Sequence, residues 1–339
     1  MKRPAVSVLF PVRDAYAFLP EAIASLEGQS FTDFEVLVVD DGSSDGSVAL
    51  LEAWRDRDPR VRLLPGGQPE RPMGVVGALE SARASASGAY VARMDADDVT
   101  PLDRFARQVE LLDGDSAIAL CGIDIRYVPR DGVTGGARAY ERWINRLSDA
   151  ASIERDLFVE CPVAHPTFMV RATALTAVGG YCDGPWPEDY DLLLRLWEAG
   201  ARFAKAAGAP HEWRDHPHRL SRTDPRYAIE SFQLLKCRVL GRTHLEGRDP
   251  VIWGAGPTGK AFARHLQRDG ISTVAFVDLD PRRIGQTIHG APVFAPDDLG
   301  PPRGRFALAA VSGKVPRGEI RAALTALGWR ELDDFVAVA

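Results

Sequence analysis

The sequence predicts an α/β protein, a doubly wound and mostly parallel sheet followed by a second, smaller α/β domain. Three observations carry this expectation. Short apolar, β-branched runs alternate with helical patterns through the N-terminal part of the chain; two of those runs end abruptly in acidic residues; and a Gly-x-Gly-x-x-Gly turn restarts the strand-then-helix pattern near the C-terminus.

The first strand begins at Val6, and the Pro11 and Asp14 that end it read as a loop before a helix over Phe18 to Leu26. The second, from Phe34 to Val39, runs into Asp40 and Asp41 and then a Gly/Ser turn before the next helix. Asp45 in that helix's first turn suits the helix dipole and stays outside the candidate site. A third strand, Tyr90 to Met94, ends in Asp95, Asp97 and Asp98. Adjacent like charges are unfavourable unless a cation or a donor-rich ligand neutralises them, and an oxygen-only cluster suits a hard ion such as Mg²⁺ or Mn²⁺. A solvated Asp-rich turn is the plain alternative. In an open parallel sheet, ligands bind beyond the carboxyl ends of the strands, so two acidic strand ends point to one crevice. Further on, Glu188-Asp189 opens a helix whose apolar side is Leu192, Leu193, Leu196 and Ala199, so that one carboxylate faces a cleft or, alternatively, only complements the dipole. Asp191 and Arg195 have the spacing of an ion pair on one helix face.

Five stretches together carry a family resemblance: VSVLFPVRDAYAFLPEAI, FEVLVVDDGSSDGS, GAYVARMDADDVTPLDRFARQVELL, HPTFMVRATALTAVGGY and PEDYDLLLRLWEAG. Over about residues 4 to 225 the chain resembles a bacterial family 2 glycosyltransferase with the GT-A fold. The resemblance implies that Pro11 and Asp14 hold the nucleotide base, that Asp40 and Asp41 contact uracil and ribose, and that Asp95 sits near the ribose. Asp97 is then a ligand of the divalent ion, Mn²⁺ or Mg²⁺, that bridges the two phosphates of a sugar nucleotide. Asp98 reads as a turn residue behind the site. Asp189 matches the general base of inverting members, with Glu188 as the fallback. His165 matches a loop on the acceptor side, as a hydroxyl or diphosphate contact or a structural histidine. Trp213-Arg214-Asp215-His216 and Arg219 match a segment that returns to the phosphates, with Arg214 as a diphosphate contact and His216 as a metal or diphosphate ligand.

Two departures matter. Glu80 stands where relatives tend to have an Asn, so the donor sugar is not inferred from this helix. The Gln-x-x-Arg-Trp element of processive synthases is absent, which favours addition of a single sugar over polymerisation.

The expected organisation is a catalytic domain over residues 1–225, a linker helix and connector over 226–248, and a Rossmann-like domain over 249–339. In the last, Val251-Ile252-Trp253 runs into Gly254, Gly256 and Gly259, and Asp278 ends the following strand where a dinucleotide unit places its ribose-binding acid. Further strands are expected at Phe306 to Val311 and Phe335 to Val338. This part resembles the small nucleotide-sugar-binding domain of sugar acetyltransferases. A scaffold for homo-oligomer contacts or acceptor placement, and NAD chemistry, are the other readings.

The 339 residues are enough for two cores, and a net charge of −6 argues against nonspecific nucleic-acid binding. The four cysteines lack Cys-x-x-Cys spacing, which argues against a zinc site or a disulfide framework. With no signal-like segment and no long apolar run, the expectation is a cytoplasmic protein with at most peripheral contact at the inner membrane face. The glycine-containing segment Pro129 to Ala139 reads as a mobile loop beside the acceptor cleft. The functional expectation is a metal-dependent, inverting glycosyltransferase. It uses a nucleoside-diphosphate sugar, UDP-linked, and a sugar or lipid-linked hydroxyl acceptor in surface polysaccharide or glycolipid assembly. A catalytically weak sugar-nucleotide-binding or scaffold protein, or an NAD-dependent enzyme built on the C-terminal domain, are the alternatives.

Overall fold

A computed structural model describes residues 3–339. The chain divides into two compact units: one contains the described residues up to Ile153 together with Pro162–Gly184 and Glu188–Thr223, the other Glu154–Cys161, Pro185–Pro187 and Asp224–Ala339.

In the first unit the apolar runs form β1 (Val6–Val12), β2 (Phe34–Asp41), β3 (Val61–Gly67) and β4 (Tyr90–Arg93). Then come β5 (Ile118–Gly122), β6 (Ile125–Val128), β7 (Met169–Arg171), β8 (Arg202–Lys205) and β9 (His211–Arg214). Seven of them make one sheet in the order β3-β2-β1-β4-β7-β5-β8. β1, β2 and β4 are buried along nearly their whole length, as strands covered by helices on both faces must be. Phe10 meets Trp54 of the helix Ser47–Arg57 edge-to-face, with ring centroids 5.7 Å apart, in the core of one such face.

Strand direction positions the site. β1 pairs in parallel with β2 and β4, with Val12 opposite Asp40 and Leu9 opposite Arg93, so the loops that follow all three strands emerge at one edge. β7 runs antiparallel to both β4 and β5. That reversal brings the turn His165–Thr167, which precedes β7, to the same edge as the loop that follows β4. β6 and β9 form a separate parallel ribbon, and Glu212 on β9 exchanges backbone hydrogen bonds with Val99.

The segment expected as a mobile loop is instead a short 3₁₀ turn, Arg130–Gly132, followed by the helix Gly135–Ile144. Thr134 caps that helix by accepting from the Ala137 amide at 3.2 Å, and its far end buries Trp143 and Ile144. Gly135 and Gly136 fall in the first turn, where their low helix propensity is least harmful.

The second unit carries β10 (Asp249–Trp253), β11 (Ala275–Val277), β12 (Thr287–Ile288), β13 (Ala291–Phe294), β14 (Arg305–Ala309) and β15 (Phe335–Ala337). They form a six-stranded sheet in the order β12-β13-β11-β10-β14-β15, parallel except for the β12–β13 pair. Phe262, Phe276, Phe306 and Phe335 fill its core. Lys236 of the helix Ile229–Arg242 is buried and donates to the Val159 and Val338 carbonyls at 2.8 and 3.1 Å. Among the described residues, no helix is long and apolar enough to cross a membrane.

Candidate active site

The acidic loop after β4 collects side chains from the far end of the unit. Asp95, Asp97 and Asp98 bring carboxylate oxygens within 4.8 Å of one another. Each is held by a different arginine or histidine. Asp95 pairs with the buried guanidinium of Arg93. Asp97 Oδ2 lies 2.8 Å from His216 Nε2, and the His216 ring stacks on Phe18 with centroids 5.1 Å apart. Burial opposes the Asp97 charge, but the His216 hydrogen bond and the nearby Arg219 outweigh it and hold its pKa below the usual carboxylate range. Asp98 is 1% exposed; its Oδ2 lies 2.9 Å from His211 Nε2 and its Oδ1 accepts from the Arg214 amide at 2.8 Å. Burial, then the charges of Asp97 and Asp95, push Asp98 well above the usual range, while burial and Arg104 push His211 well below its own. His211 is therefore neutral near pH 7, Asp98 holds its proton more firmly than an ordinary carboxyl, and both Asp98 oxygens are engaged.

Arg214 spends its guanidinium inside the scaffold: Nε donates to the Asp97 carbonyl at 2.7 Å and Nη2 pairs with Glu21. Arg219 lies close enough to Asp97 to help lower its pKa. Its guanidinium lies 4.0 Å over the Trp213 ring, which in turn stacks on Tyr127 at 5.2 Å.

At the ends of β1 and β2 the expected nucleotide contacts divide. Asp14 adopts a left-handed φ of 48° and accepts from the Ser44 amide at 2.8 Å, tying the two loops together beside Pro11. Asp41 is turned the other way: its oxygens accept from the Met73 and Gly74 amides at 2.5 and 2.9 Å, at the start of the helix Gly74–Ala84. Asp40 accepts from the Gly42 and Ser43 amides through Oδ2, while its buried Oδ1 has no hydrogen-bond partner. Of the two acids, Asp40 is the one with acceptor capacity to spare.

The helix Glu188–Glu198 opens with Glu188 buried to 1% exposure and Asp189 half-buried. Asp191 is held by Arg195 at 2.7 Å. His165, expected as an acceptor or diphosphate contact, points inward: Nε2 lies 3.0 Å from the Tyr181 hydroxyl and Nδ1 3.5 Å from Glu188 Oε1. Glu80 is not a gap in the donor site but a tether, accepting from the Tyr181 amide at 2.6 Å and pairing with Arg83.

Two arginines escaped the sequence reading. Arg93 is nine-tenths buried, pairs with Asp95, and has an Nε with no hydrogen-bond partner. Burial opposes its charge, yet Asp95 outweighs that and raises its pKa. Arg104 is fully buried and meets neutral acceptors: the Arg93 and Phe168 carbonyls at 2.8 and 3.2 Å and Gln108 Oε1 at 2.9 Å. Burial pushes its pKa down to about 9. The available signal was an arginine inside an otherwise apolar strand, two residues before the acids.

In the second unit, the glycines of the β10 turn differ in purpose. Gly254 has φ 113°, and a Cβ on Gly259 would sit 1.8 Å from the Gly254 carbonyl, so Gly259 permits close helix-to-strand packing. A Cβ on Gly256 would meet only Arg283 Nη1, at 3.7 Å. Asp278, expected to hold a ribose, accepts through Oδ2 from the Ala255 amide and from Arg283, and through Oδ1 from the Asp280 amide.

These features agree with what the chain resembles. It matches Glycosyl transferase family 2 over residues 7–177, half of its length, and belongs to that family. It is therefore a glycosyltransferase. EpsE of Bacillus subtilis (strain 168) is 26% identical over 243 residues, covering 70% of this chain and 83% of that protein. Among solved structures, TarS 1-349 of S. aureus in complex with UDP-GlcNAc superposes with a TM-score of 0.53 at 18% identity, over 79% of this chain and 73% of that one. The mannosyltransferase PcManGT from Pyrobaculum calidifontis, in complex with GDP-Man and Mn²⁺, gives a TM-score of 0.51 at 18% identity, over 79% and 70%. At that identity the likeness shows the fold, a GT-A-like mixed sheet.

Proposed function

We propose that the chain is a metal-dependent, inverting glycosyltransferase that moves one sugar from a nucleoside-diphosphate sugar, UDP-linked, to a hydroxyl acceptor in surface polysaccharide or glycolipid assembly. The observation that supports it most is the meeting of two acid sets at one sheet edge. The Asp95-Asp97 loop follows β4, the turn that bears on Glu188 precedes β7, and these strands pair in opposite directions.

The donor set fits a hard divalent cation, Mn²⁺ or Mg²⁺. Carboxylate oxygens gather within 4.8 Å, and the 2.8 Å between Asp97 Oδ2 and His216 Nε2 is close to the roughly 3 Å between neighbouring ligands of an octahedral ion. Asp95, Asp97 and His216 would hold it, and when bound it would neutralise charge on the departing diphosphate. Asp40, with Pro11 and Asp14 beside it, is the acid of the pair with acceptor capacity left for the nucleotide. Arg219 adds positive charge on the phosphate side, while Arg214 and Glu21 brace the loop. The half-buried Asp189 takes the proton from the acceptor hydroxyl as its oxygen bonds to the anomeric carbon and the bond to the diphosphate oxygen breaks. Glu188, buried against His165, is the less suitable base.

Residues 1–225, 226–248 and 249–339 serve in this reading as catalytic domain, linker and Rossmann-like domain. The open face at Gly256 supports an approach by a phosphorylated ligand such as a nucleotide-linked sugar. The engaged oxygens of Asp278 speak against a ribose grip of the NAD kind.

Calorimetric titration of UDP with Mn²⁺, and again with EDTA, tests the donor site. Binding should require the metal and be lost in Asp97→Ala. Asp189→Asn should keep that binding and lose transfer; retained transfer would remove Asp189 as the base.

A further inference from the structure

Three acidic residues open the helix Glu188–Glu198, and two of them are buried with dedicated partners: Glu188 against His165 and Asp191 against Arg195. His165 is itself 6% exposed and meets a second buried group, the Tyr181 hydroxyl at 3.0 Å. Tyr181 is fixed through its backbone, whose amide donates to Glu80 at 2.6 Å. These residues make one continuous line of polar contacts beneath the first turn of the helix that carries Asp189.

The chemistry of that line has one self-consistent proton arrangement. Glu188 Oε1 faces Nδ1 of His165, so Nδ1 must carry the hydrogen; a bare lone pair there would face a buried carboxylate. Nε2 is then an acceptor, and the Tyr181 hydroxyl donates to it. Burial and the nearby Arg93 keep the His165 pKa below its ordinary value, and burial keeps the Tyr181 phenol protonated, in agreement with that arrangement. With both ring nitrogens committed, His165 has none left for substrate.

We propose that Tyr181, His165 and Glu188 form a buried positioning relay that fixes the start of the helix carrying Asp189, whose carboxylate itself accepts from the Tyr190 amide at 2.7 Å, with His165 acting through Glu188 and not on the donor or acceptor. The proposal rests on Asp189 being the base. A displacement of about 1 Å in a reacting group can lower a rate on the order of a hundredfold, so a relay of this kind governs turnover without touching the donor.

The test uses the full chain with ¹⁵N-labelled histidine, and the variants His165→Asn, His165→Leu and Tyr181→Phe. Long-range ¹H–¹⁵N spectra should show His165 as the neutral Nδ1–H tautomer, unchanged between about pH 5.5 and 8.5. An Nε2–H tautomer, or titration within that range, overturns the relay. UDP binding with Mn²⁺ should stay within about twofold in all three variants, and a tenfold loss in His165→Leu would make His165 a donor contact and overturn it as well. Hydrolysis of UDP-GlcNAc and UDP-glucose should lose at least about tenfold in kcat in His165→Leu with KM within about twofold, and His165→Asn, whose amide replaces Nδ1–H, should recover to within about threefold. A wild-type chain that neither binds UDP nor hydrolyses either sugar nucleotide would sink the functional reading, while the tautomer spectrum still decides the relay.

Discussion

Asp98 offers a sharp test of how the acidic loop is built. Its Oδ1 accepts from the Arg214 amide and its Oδ2 meets His211 Nε2, with both side chains almost wholly buried. If the pair is neutral, the protonated carboxyl donates to Nε2, and Asp98→Asn supplies an equivalent donor while keeping the acceptor for Arg214. Asp98→Ala removes both partners at once. Each orphaned buried group costs about 1–3 kcal/mol, so the alanine variant should lose about 2–6 kcal/mol while the asparagine variant stays within about 1 kcal/mol of the parent. Urea denaturation in EDTA, followed by tryptophan fluorescence, reads both. In parallel, Mn²⁺-dependent UDP binding should survive in Asp98→Asn and vanish in Asp97→Ala, because Asp98 has no oxygen to spare for a cation. An asparagine variant as unstable as the alanine variant would mean that a charged carboxylate is required, and the neutral pair would be refuted.

Lys205 is buried beside the Ile144 carbonyl and 3.5 Å from Asp124, and burial lowers its pKa to about 8. A depressed lysine binds fewer protons folded than unfolded, so its contribution to stability rises from about pH 8 to 10.4 and is flat below; Lys205→Met should remove about 3 kcal/mol of that rise, seen in urea midpoints across the window. In the second unit, Gly259→Ala forces a Cβ to within 1.8 Å of the Gly254 carbonyl and should destabilise the unit by about 1–3 kcal/mol, whereas Gly256→Ala meets nothing closer than 3.7 Å and should melt like the parent.

The strands were legible because burial on both faces leaves unbroken apolar runs, and the acidic ends of Phe34–Val39 and Tyr90–Met94 mark where those runs stop. Strand direction was not. Nothing local in Met169-Val170-Arg171 says that it pairs antiparallel with β4, yet that pairing is what places His165 beside Glu188. The partners of His165 lie at Tyr181 and Glu188, beyond the reach of periodicity, so the sequence left it open between a hydroxyl or diphosphate contact and a structural histidine. Glu80 looked like a departure from a pattern because its use, holding the Tyr181 amide, lies 101 residues along the chain. The Pro129 to Ala139 segment was misread because its glycines outweighed the Thr134 cap and the apolar end of a real helix.

The acidic loop has a consequence for the order in which the molecule is made. Asp97 and Asp98 take their partners His216 and His211 from 119 and 113 residues downstream, and Arg104 needs the Phe168 carbonyl from 64 residues away. Contacts of such sequence separation close after local ones, because loop-closure entropy must be overcome first. During synthesis the strands β1 to β4 can assemble while the loop they carry still lacks its braces. The acidic loop is thus completed late, only once the residues up to His216 have emerged, and a fragment ending between β8 and that point would hold every strand of the main sheet while lacking the histidine that meets Asp97.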